Sequence, residues 1–171
     1  MTKVGFHCNT TLDGHLAAPN RRLEMPFGDG MEGLHAWMFK QRFIREAFGF
    51  GEGGEDGPSN DVIREALSNI GATIVGRNMF GPVRGKWPAE PWNGWWGPNL
   101  PYHTPVFVLT HYARKPLAMD GGTTFYFVTD GIESALARAR AVVAEDQDIL
   151  IGGGWRRARM CGVGFIARRR A

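Results

Sequence analysis

Four short apolar segments alternate with helical patterns along this chain, and that alternation most constrains its fold. The predicted strands are Ala72–Val75, Val106–Thr110, Thr123–Thr129 and Ile149–Ile151, with an N-terminal strand at Lys3–Asn9. Several of them are apolar throughout, which is typical of strands buried on both faces of a sheet. Strands that alternate with helices predict an α/β fold with a mainly parallel sheet and helices on both faces.

Three segments show helical patterns. The predicted helices cover Leu34–Phe48, Asp61–Ser68 and residues 132–144. Ser59 or Asn60 has the side-chain chemistry of an N-cap for the second helix. Asp130 or Thr129, with Glu133 following, predicts a capping-box-like start for the third helix.

Small or hydrogen-bonding residues follow four of the predicted strands. They are Gly76–Arg77, Thr110–His111, Thr129–Asp130 and Gly152–Gly154. Because ligands bind at the carboxyl ends of parallel strands, these residues predict one shared site. Arginine pairs with phosphate, while threonine hydroxyls and glycine N–H groups are neutral donors, so a nucleotide with several phosphates is the expected ligand. Each residue taken alone is equally explained as a helix cap or a tight turn.

Residues 81–104 carry four tryptophans separated by glycine and proline, which excludes a regular helix. The tryptophans are Trp87, Trp92, Trp95 and Trp96. The favoured interpretation is an irregular loop held down by its own aromatic area. The alternative is a flap over a flat aromatic ligand.

Length and composition fit a single globular domain: the chain has 171 residues, of which 43% are hydrophobic and 22% charged. It has no apolar run of membrane-spanning length and no signal-peptide pattern, so a cytoplasmic location without a membrane partner is expected. The two cysteines, Cys8 and Cys161, show no metal-ligand spacing, and no metal site is predicted.

Residues 155–171 hold six of the 20 basic residues and none of the 17 acidic ones, so residues 1–154 are mildly acidic. Nucleic-acid binding would depend on this tail alone and is not expected.

Five short motifs occur in a familiar order. They are Thr11–Ala17, Ala72–Phe80, Val106–His111, Thr124–Asp130 and Ile149–Gly154. On these motifs the chain resembles the dihydrofolate reductase superfamily, especially bacterial dihydrofolate-reductase-like proteins related to the reductase domain of the riboflavin pathway. The resemblance covers residues 1–154 and implies a three-layer fold with a mainly parallel sheet. The Gly-x-Gly-x-x-Gly fingerprint of ordinary dinucleotide domains is absent, which fits this superfamily.

The resemblance implies that NADPH is the hydride donor for a small heterocyclic substrate of the pterin, pyrimidine or riboflavin-precursor type. The implied cofactor-binding residues are Leu16 and Ala17 at the nicotinamide, Gly76, Arg77 and Asn78 at phosphate groups, Thr110, His111 and Thr129 near the adenosine 2′-phosphate, and Gly152, Gly153 and Gly154 at the pyrophosphate. The acidic residue that dihydrofolate reductase carries on its first long helix is replaced by Gly33 or Leu34. Asp13, Asp29 and Glu32 are the remaining candidates for a proton donor.

After Gly154 the resemblance ends, because the expected helix and further strands are replaced by the arginine-rich tail. We interpret residues 155–171 as the product of a reading-frame shift; a genuine arginine-rich tail and a natural truncation are the alternatives. Loss of the C-terminal strands would leave the N-terminal strand at an exposed sheet edge. The sequence therefore predicts marginal stability or a homodimer across that edge. The sequence also leaves open an alternative to the reductase: the chain would then be an inactive remnant that at most binds nucleotide.

Overall fold

The computed structural model describes residues 2–22, 24–31, 33–81, 85–89, 92–95 and 97–153. Six strands of these residues form one sheet: β1 (Val4–Phe6), β2 (Ile70–Gly76), β3 (Pro105–Leu109), β4 (Leu117–Ala118), β5 (Thr124–Val128) and β6 (Asp148–Gly152). The strand order is β1-β6-β2-β3-β5-β4. All neighbouring pairs are parallel except β4 with β5. The predicted α/β fold with a mainly parallel sheet is confirmed at this level.

The strand boundaries differ from the predicted ones mainly at the N-terminus. β1 covers three residues, whereas the predicted strand ran from Lys3 to Asn9. β4 was not predicted, because two residues are too short to show a hydrophobic period. Among the described residues, β1 lies at one end of the sheet order and pairs with β6. The predicted exposed edge stays a prediction.

The helices are α1 (Gly33–Ala36), α2 (Arg42–Ala47), α3 (Pro58–Leu67), α4 (Arg77–Phe80) and α5 (Ile132–Val142), with a 3₁₀ helix at Met38–Lys40. The prediction of one continuous helix over Leu34–Phe48 was wrong. Gln41 interrupts it with an extended backbone (φ −74°, ψ 139°). The backbone on either side of Gln41 pairs instead with Glu55, whose N–H donates to Lys40 O and whose carbonyl accepts from the Arg42 N–H. No helix in the described ranges is long and apolar enough to cross a bilayer.

Both predicted helix caps were also wrong. α3 begins after Gly57 (φ 121°) and α5 after Gly131 (φ 97°), in backbone conformations that favour glycine. Asn60 lies inside α3, where its Oδ1 accepts a hydrogen bond from the Phe43 N–H at 2.8 Å. The Asp130 carboxylate accepts from the Ser134 hydroxyl at 2.7 Å.

Two hydrophobic clusters cover the two faces of the sheet, because consecutive strand residues point to opposite faces. The α5 face contains Ala72, Ile74, Phe107, Val128, Ala135, Ala139 and Ile149. The other face contains Val75, Phe80, Leu100, Val106, Val108, Phe125 and Phe127. α4 contributes Phe80 to this second cluster, and two tryptophans of the irregular segment, Trp87 and Trp92, pack against it.

The predicted irregular loop held by aromatic area is therefore confirmed for the described part of residues 81–104. The Trp87 indole N–H donates to Tyr112 O and the Trp92 indole N–H donates to Phe80 O, each at 2.9 Å. Trp96 lies outside the described residues, as do Glu32, Gly154 and the arginine-rich tail.

Candidate functional site

The end of β2 places Arg77 at the carboxyl edge of the sheet, as the first residue of α4. The residue is 9% exposed, and its Nη1 donates a hydrogen bond to Thr110 Oγ1 at 3.3 Å. Thr110 directly follows β3, which is the neighbour of β2 in the sheet. Two residues that were predicted separately from two strand ends are therefore in direct contact.

Thr110 is itself fixed by backbone hydrogen bonds. Its N–H donates to Val128 O at 3.0 Å, which joins the end of β3 to the end of β5. Its hydroxyl oxygen accepts from the Tyr112 N–H at 3.2 Å, which turns the following segment back toward the strand end. The ends of β2, β3 and β5 are thus connected through one threonine.

Trp87 covers the Arg77 guanidinium. The Arg77 Cζ lies 3.1 Å from the centroid of the Trp87 ring, which is a stacked cation–π contact. A second arginine, Arg114, lies 5.0 Å from the same ring centroid. Burial lowers the pKa of Arg77, and the positive charge of Arg114 lowers it further. Both side chains nevertheless stay protonated near neutral pH, because the arginine guanidinium is not deprotonated in proteins.

The glycines that end β6 serve different purposes. A Cβ at Gly152 would approach Met79 Cε to 3.0 Å and Val75 Cγ1 to 3.1 Å, so a side chain there would force these neighbours to shift. Gly153 has φ 108°, a conformation that favours glycine. Met79 belongs to α4, so the glycine turn lies beside the helix that carries Arg77. The predicted alternative of a tight structural turn therefore explains Gly152, while both glycines remain candidates for close approach to a ligand.

The remaining predicted residues of the strand ends are on the surface. Asn78, His111 and Thr129 are all exposed. They lie beside Arg77, Thr110 and Val128 in the chain and so remain at the same edge of the sheet, available to a ligand.

The predicted nicotinamide residues Leu16 and Ala17 are half-buried in the loop between β1 and α1. Backbone hydrogen bonds fold this loop back on itself, from the Thr11 N–H to His15 O at 2.9 Å and from the Ala18 N–H to Phe27 O at 2.8 Å. The predicted position of Leu16 and Ala17 at the nicotinamide stays a prediction.

Two predicted proton donors lie in the same loop and are exposed. Hydrogen bonds from Thr11 and His15 lower the pKa of Asp13. Hydrogen bonds from Arg22 and Asn20 lower the pKa of Asp29. Both carboxyl groups are therefore ionised near neutral pH, which disfavours them as general acids.

Sequence reasoning did not identify Arg114, which is half-buried beside the aromatic cluster. Its Nη1 donates to Trp92 O at 2.7 Å and its Nη2 to Asn93 Oδ1 at 3.2 Å. The sequence held one indication that Arg114 could belong to the site. Residues 97–119 contain no acidic residue, and Arg114 lies four positions after Thr110. The described residues contain no group of three histidine, cysteine or carboxylate side chains that could hold a metal ion.

The fold and this edge define an α/β protein with a mostly parallel sheet and a cationic, aromatic-covered site at the carboxyl ends of β2 and β3. No protein-family model matches the chain, and no curated protein sequence matches it. The function must therefore be argued from the site itself.

Proposed function

We propose that this chain is an NADPH-dependent reductase that transfers a hydride to a small heterocyclic substrate of the pterin, pyrimidine or riboflavin-precursor type. The observation that carries the proposal is the contact of Arg77 with Thr110 at adjacent carboxyl ends of parallel strands. A guanidinium beside a hydroxyl, at the edge where parallel sheets bind ligands, suits a phosphorylated nucleotide. The identity of the cofactor comes from the resemblance of the motifs to the dihydrofolate reductase superfamily.

NADPH, when bound, supplies the hydride, and the residues of the chain bind and orient the two reactants. Arg77 and Thr110 would hold phosphate groups. The turn at Gly152–Gly153 would let the backbone approach the pyrophosphate. The aromatic segment around Trp87 would keep water away from the neighbouring face of the sheet.

The second candidate is a protein that binds nucleotide but does not turn it over. The same contact between Arg77 and Thr110 supports it, since phosphate binding requires no chemistry. The two functions differ in whether a bound dinucleotide becomes oxidised in the presence of a heterocyclic substrate.

The test is a titration of the full chain with NADPH and, separately, with NADH, followed by tryptophan fluorescence. We expect saturable quenching, because Trp87 stacks on the arginine that would bind phosphate. We expect the Arg77→Gln variant to bind NADPH at least about tenfold more weakly, because a charge-assisted hydrogen bond is lost. Arg64→Gln is the matched control, since Arg64 lies on α3 in an exposed pair with Asp61.

A folded chain that quenches with neither dinucleotide would overturn both candidate functions. Saturable binding, followed by no loss of NADPH absorbance at 340 nm with a panel of reducible pterins, pyrimidines and riboflavin precursors, would instead favour the non-catalytic function. Equal weakening by Arg77→Gln and Arg64→Gln would show that dinucleotide binds elsewhere.

A further inference from the structure

Asn93 is the one asparagine of this chain that a glycine follows, because the other six asparagines precede residues that carry a side chain. The amide carbon of an asparagine side chain lies within reach of the next backbone nitrogen, and a bond between them closes a five-membered succinimide ring. Glycine has no Cβ, so its nitrogen approaches that carbon with the least hindrance. Asn93 and Gly94 therefore have the chemistry for spontaneous loss of the side-chain amide.

The surroundings of Asn93 leave this reaction open to water. Asn93 is exposed and Gly94 half-buried, in a stretch without regular secondary structure. Gly94 has φ 102°, a conformation that favours glycine. Within the described residues, the Gly94 N–H donates no hydrogen bond. The group that would attack is thus not held in a helix or a sheet.

A cation contacts the amide that would be lost. The Arg114 Nη2 donates to Asn93 Oδ1 at 3.2 Å, and its Nη1 donates to Trp92 O at 2.7 Å. The Arg114 Cζ also lies 5.0 Å from the Trp87 ring centroid, so the guanidinium is held on both sides. When a nitrogen adds to the amide carbon, negative charge develops on Oδ1, and a guanidinium that donates to this oxygen stabilises the charge.

We propose that Asn93 is a site of spontaneous deamidation, which Arg114 promotes and which converts a neutral partner of Arg114 into a carboxylate. The Gly94 nitrogen gives up its proton to solvent and forms a bond to Cγ of Asn93. The bond from Cγ to Nδ2 breaks, and the nitrogen leaves as ammonia after taking a proton from solvent. Water then adds to one of the two ring carbonyls and opens the ring to aspartate or isoaspartate. The sequence of steps consumes water and needs no oxidant or reductant.

The product carboxylate would lie beside an available cation. In the part of the chain that the structure describes, Arg114 forms no ion pair with a carboxylate. A carboxylate at position 93 would form one, and its attraction is modest because position 93 is exposed. The modification also adds a negative charge at the edge of the cationic site. It needs no bound ligand and is therefore independent of the proposed function.

The test incubates the full chain in neutral buffer and follows each asparagine by peptide mass spectrometry. We expect the wild type to lose the Asn93 amide at least about tenfold faster than any of its other six asparagines lose theirs. Asn93→Gln is the matched control, because its longer side chain would need a six-membered ring. We expect it to keep the amide at position 93. Isomerisation at Asp–Gly steps leaves the peptide mass unchanged and so does not disturb the measurement.

Variants of Arg114 test whether this cation promotes the reaction. We expect Arg114→Gln to lose the Asn93 amide at least about threefold more slowly than the wild type, because the developing charge on Oδ1 loses its donor. We expect Arg114→Lys to keep most of the wild-type rate, because it retains the cation. Arg114→Met is a second neutral variant, in case Arg114→Gln does not fold. Near-ultraviolet circular dichroism of each variant checks that the aromatic cluster is intact before incubation.

Urea separates the tertiary contact from the local sequence. Arg114 and Asn93 are 21 positions apart, so the unfolded chain does not hold them together. We expect the wild type and Arg114→Gln to lose the Asn93 amide at the same rate in denaturing urea. A difference that persists in urea would overturn the role of Arg114.

The opposite role for Arg114 predicts the opposite change. If its hydrogen bonds mainly restrain Asn93, the folded neutral variants should lose the amide faster than the wild type, and the proposal would be wrong. Equal rates in the folded wild type and the folded neutral variants would also overturn the role of Arg114. A wild-type chain that keeps the Asn93 amide as long as its other asparagine amides would overturn the modification itself.

Discussion

Asn60 is 1% exposed within α3, and its side chain joins this helix to the start of α2. Its Oδ1 accepts a hydrogen bond from the Phe43 N–H at 2.8 Å. Replacing Asn60 with alanine leaves a backbone donor without this acceptor, in a partly buried position. We expect Asn60→Ala to lower the free energy of unfolding by about 1–3 kcal/mol, measured by urea denaturation.

Ser59→Ala is the matched control, because Ser59 is the exposed neighbour in the same first turn of α3. We expect it to change stability by less than about 0.5 kcal/mol. If Ser59→Ala were as destabilising as Asn60→Ala, the hydrogen bond to Phe43 would not be the reason that Asn60 matters. The sequence predicted Ser59 or Asn60 as the cap because both have suitable side chains. It could not show that Gly57 begins the helix or that Asn60 meets the distant Phe43.

The packing of the aromatic segment depends on a glycine at its start. Gly81 follows α4, and a Cβ at this position would collide with Nε1 and Cδ1 of Trp92. Gly81 has φ 179°, an extended backbone that any residue adopts, so alanine would act through this collision alone. We expect Gly81→Ala to displace the Trp92 indole from its hydrogen bond with Phe80 O. The expected result is a loss of about 1–3 kcal/mol in the free energy of unfolding and a red shift of tryptophan emission.

Gly33→Ala tests whether any added methyl group has this effect. Gly33 is the exposed first residue of α1, and a Cβ there would meet no atom within 4 Å. We expect unchanged tryptophan emission and a stability equal to or slightly above the wild type, because alanine favours helix more than glycine does. Wild-type emission and stability in Gly81→Ala would contradict the role assigned to the Trp92 contact.

Elements defined by local sequence patterns were predicted more accurately than elements that depend on contacts with residues distant in the chain. β2, β3, β5 and β6 were predicted within about two residues, because each is an apolar run bounded by turn residues. The helical prediction over Leu34–Phe48 failed because Gln41 is held extended by pairing with the distant Glu55. No local pattern around Gln41 carries that information.

At the scale of the whole molecule, the topology of the parallel sheet explains why part of the candidate site could be predicted. Arg77 and Thr110 directly end two apolar runs, so a parallel arrangement of the strands was enough to bring them to one edge. Arg114 lies in an irregular connection, where no period fixes the position of a side chain. Its place beside Trp87 depends on tertiary contacts, and only the structure could show it.

The strand order also predicts how protection against hydrogen exchange is distributed. β2 pairs with β6 on one side and β3 on the other, and six of its seven residues are buried. β1 has three half-buried residues, and in the ranges that the structure describes it pairs with β6 alone. Since amides that open locally exchange faster than those that need global unfolding, we expect the β1 amides to exchange at least about a hundredfold faster than those of β2.

Hydrogen exchange at two protein concentrations separates the ways in which β1 could be covered. Exchange from β1 that is fast at low concentration and slow at high concentration would show that a second copy pairs along this edge, as the predicted homodimer requires. Protection of β1 equal to that of β2 at both concentrations would contradict the prediction, because it requires another segment of the same chain to pair with the outer side of β1. The β5 amides are the internal reference, since β5 is flanked by β3 and β4 and its exchange should not depend on concentration. If only the exchange rate of the β1 amides depends on protein concentration, the chain associates with itself along β1, the strand that ends the sheet.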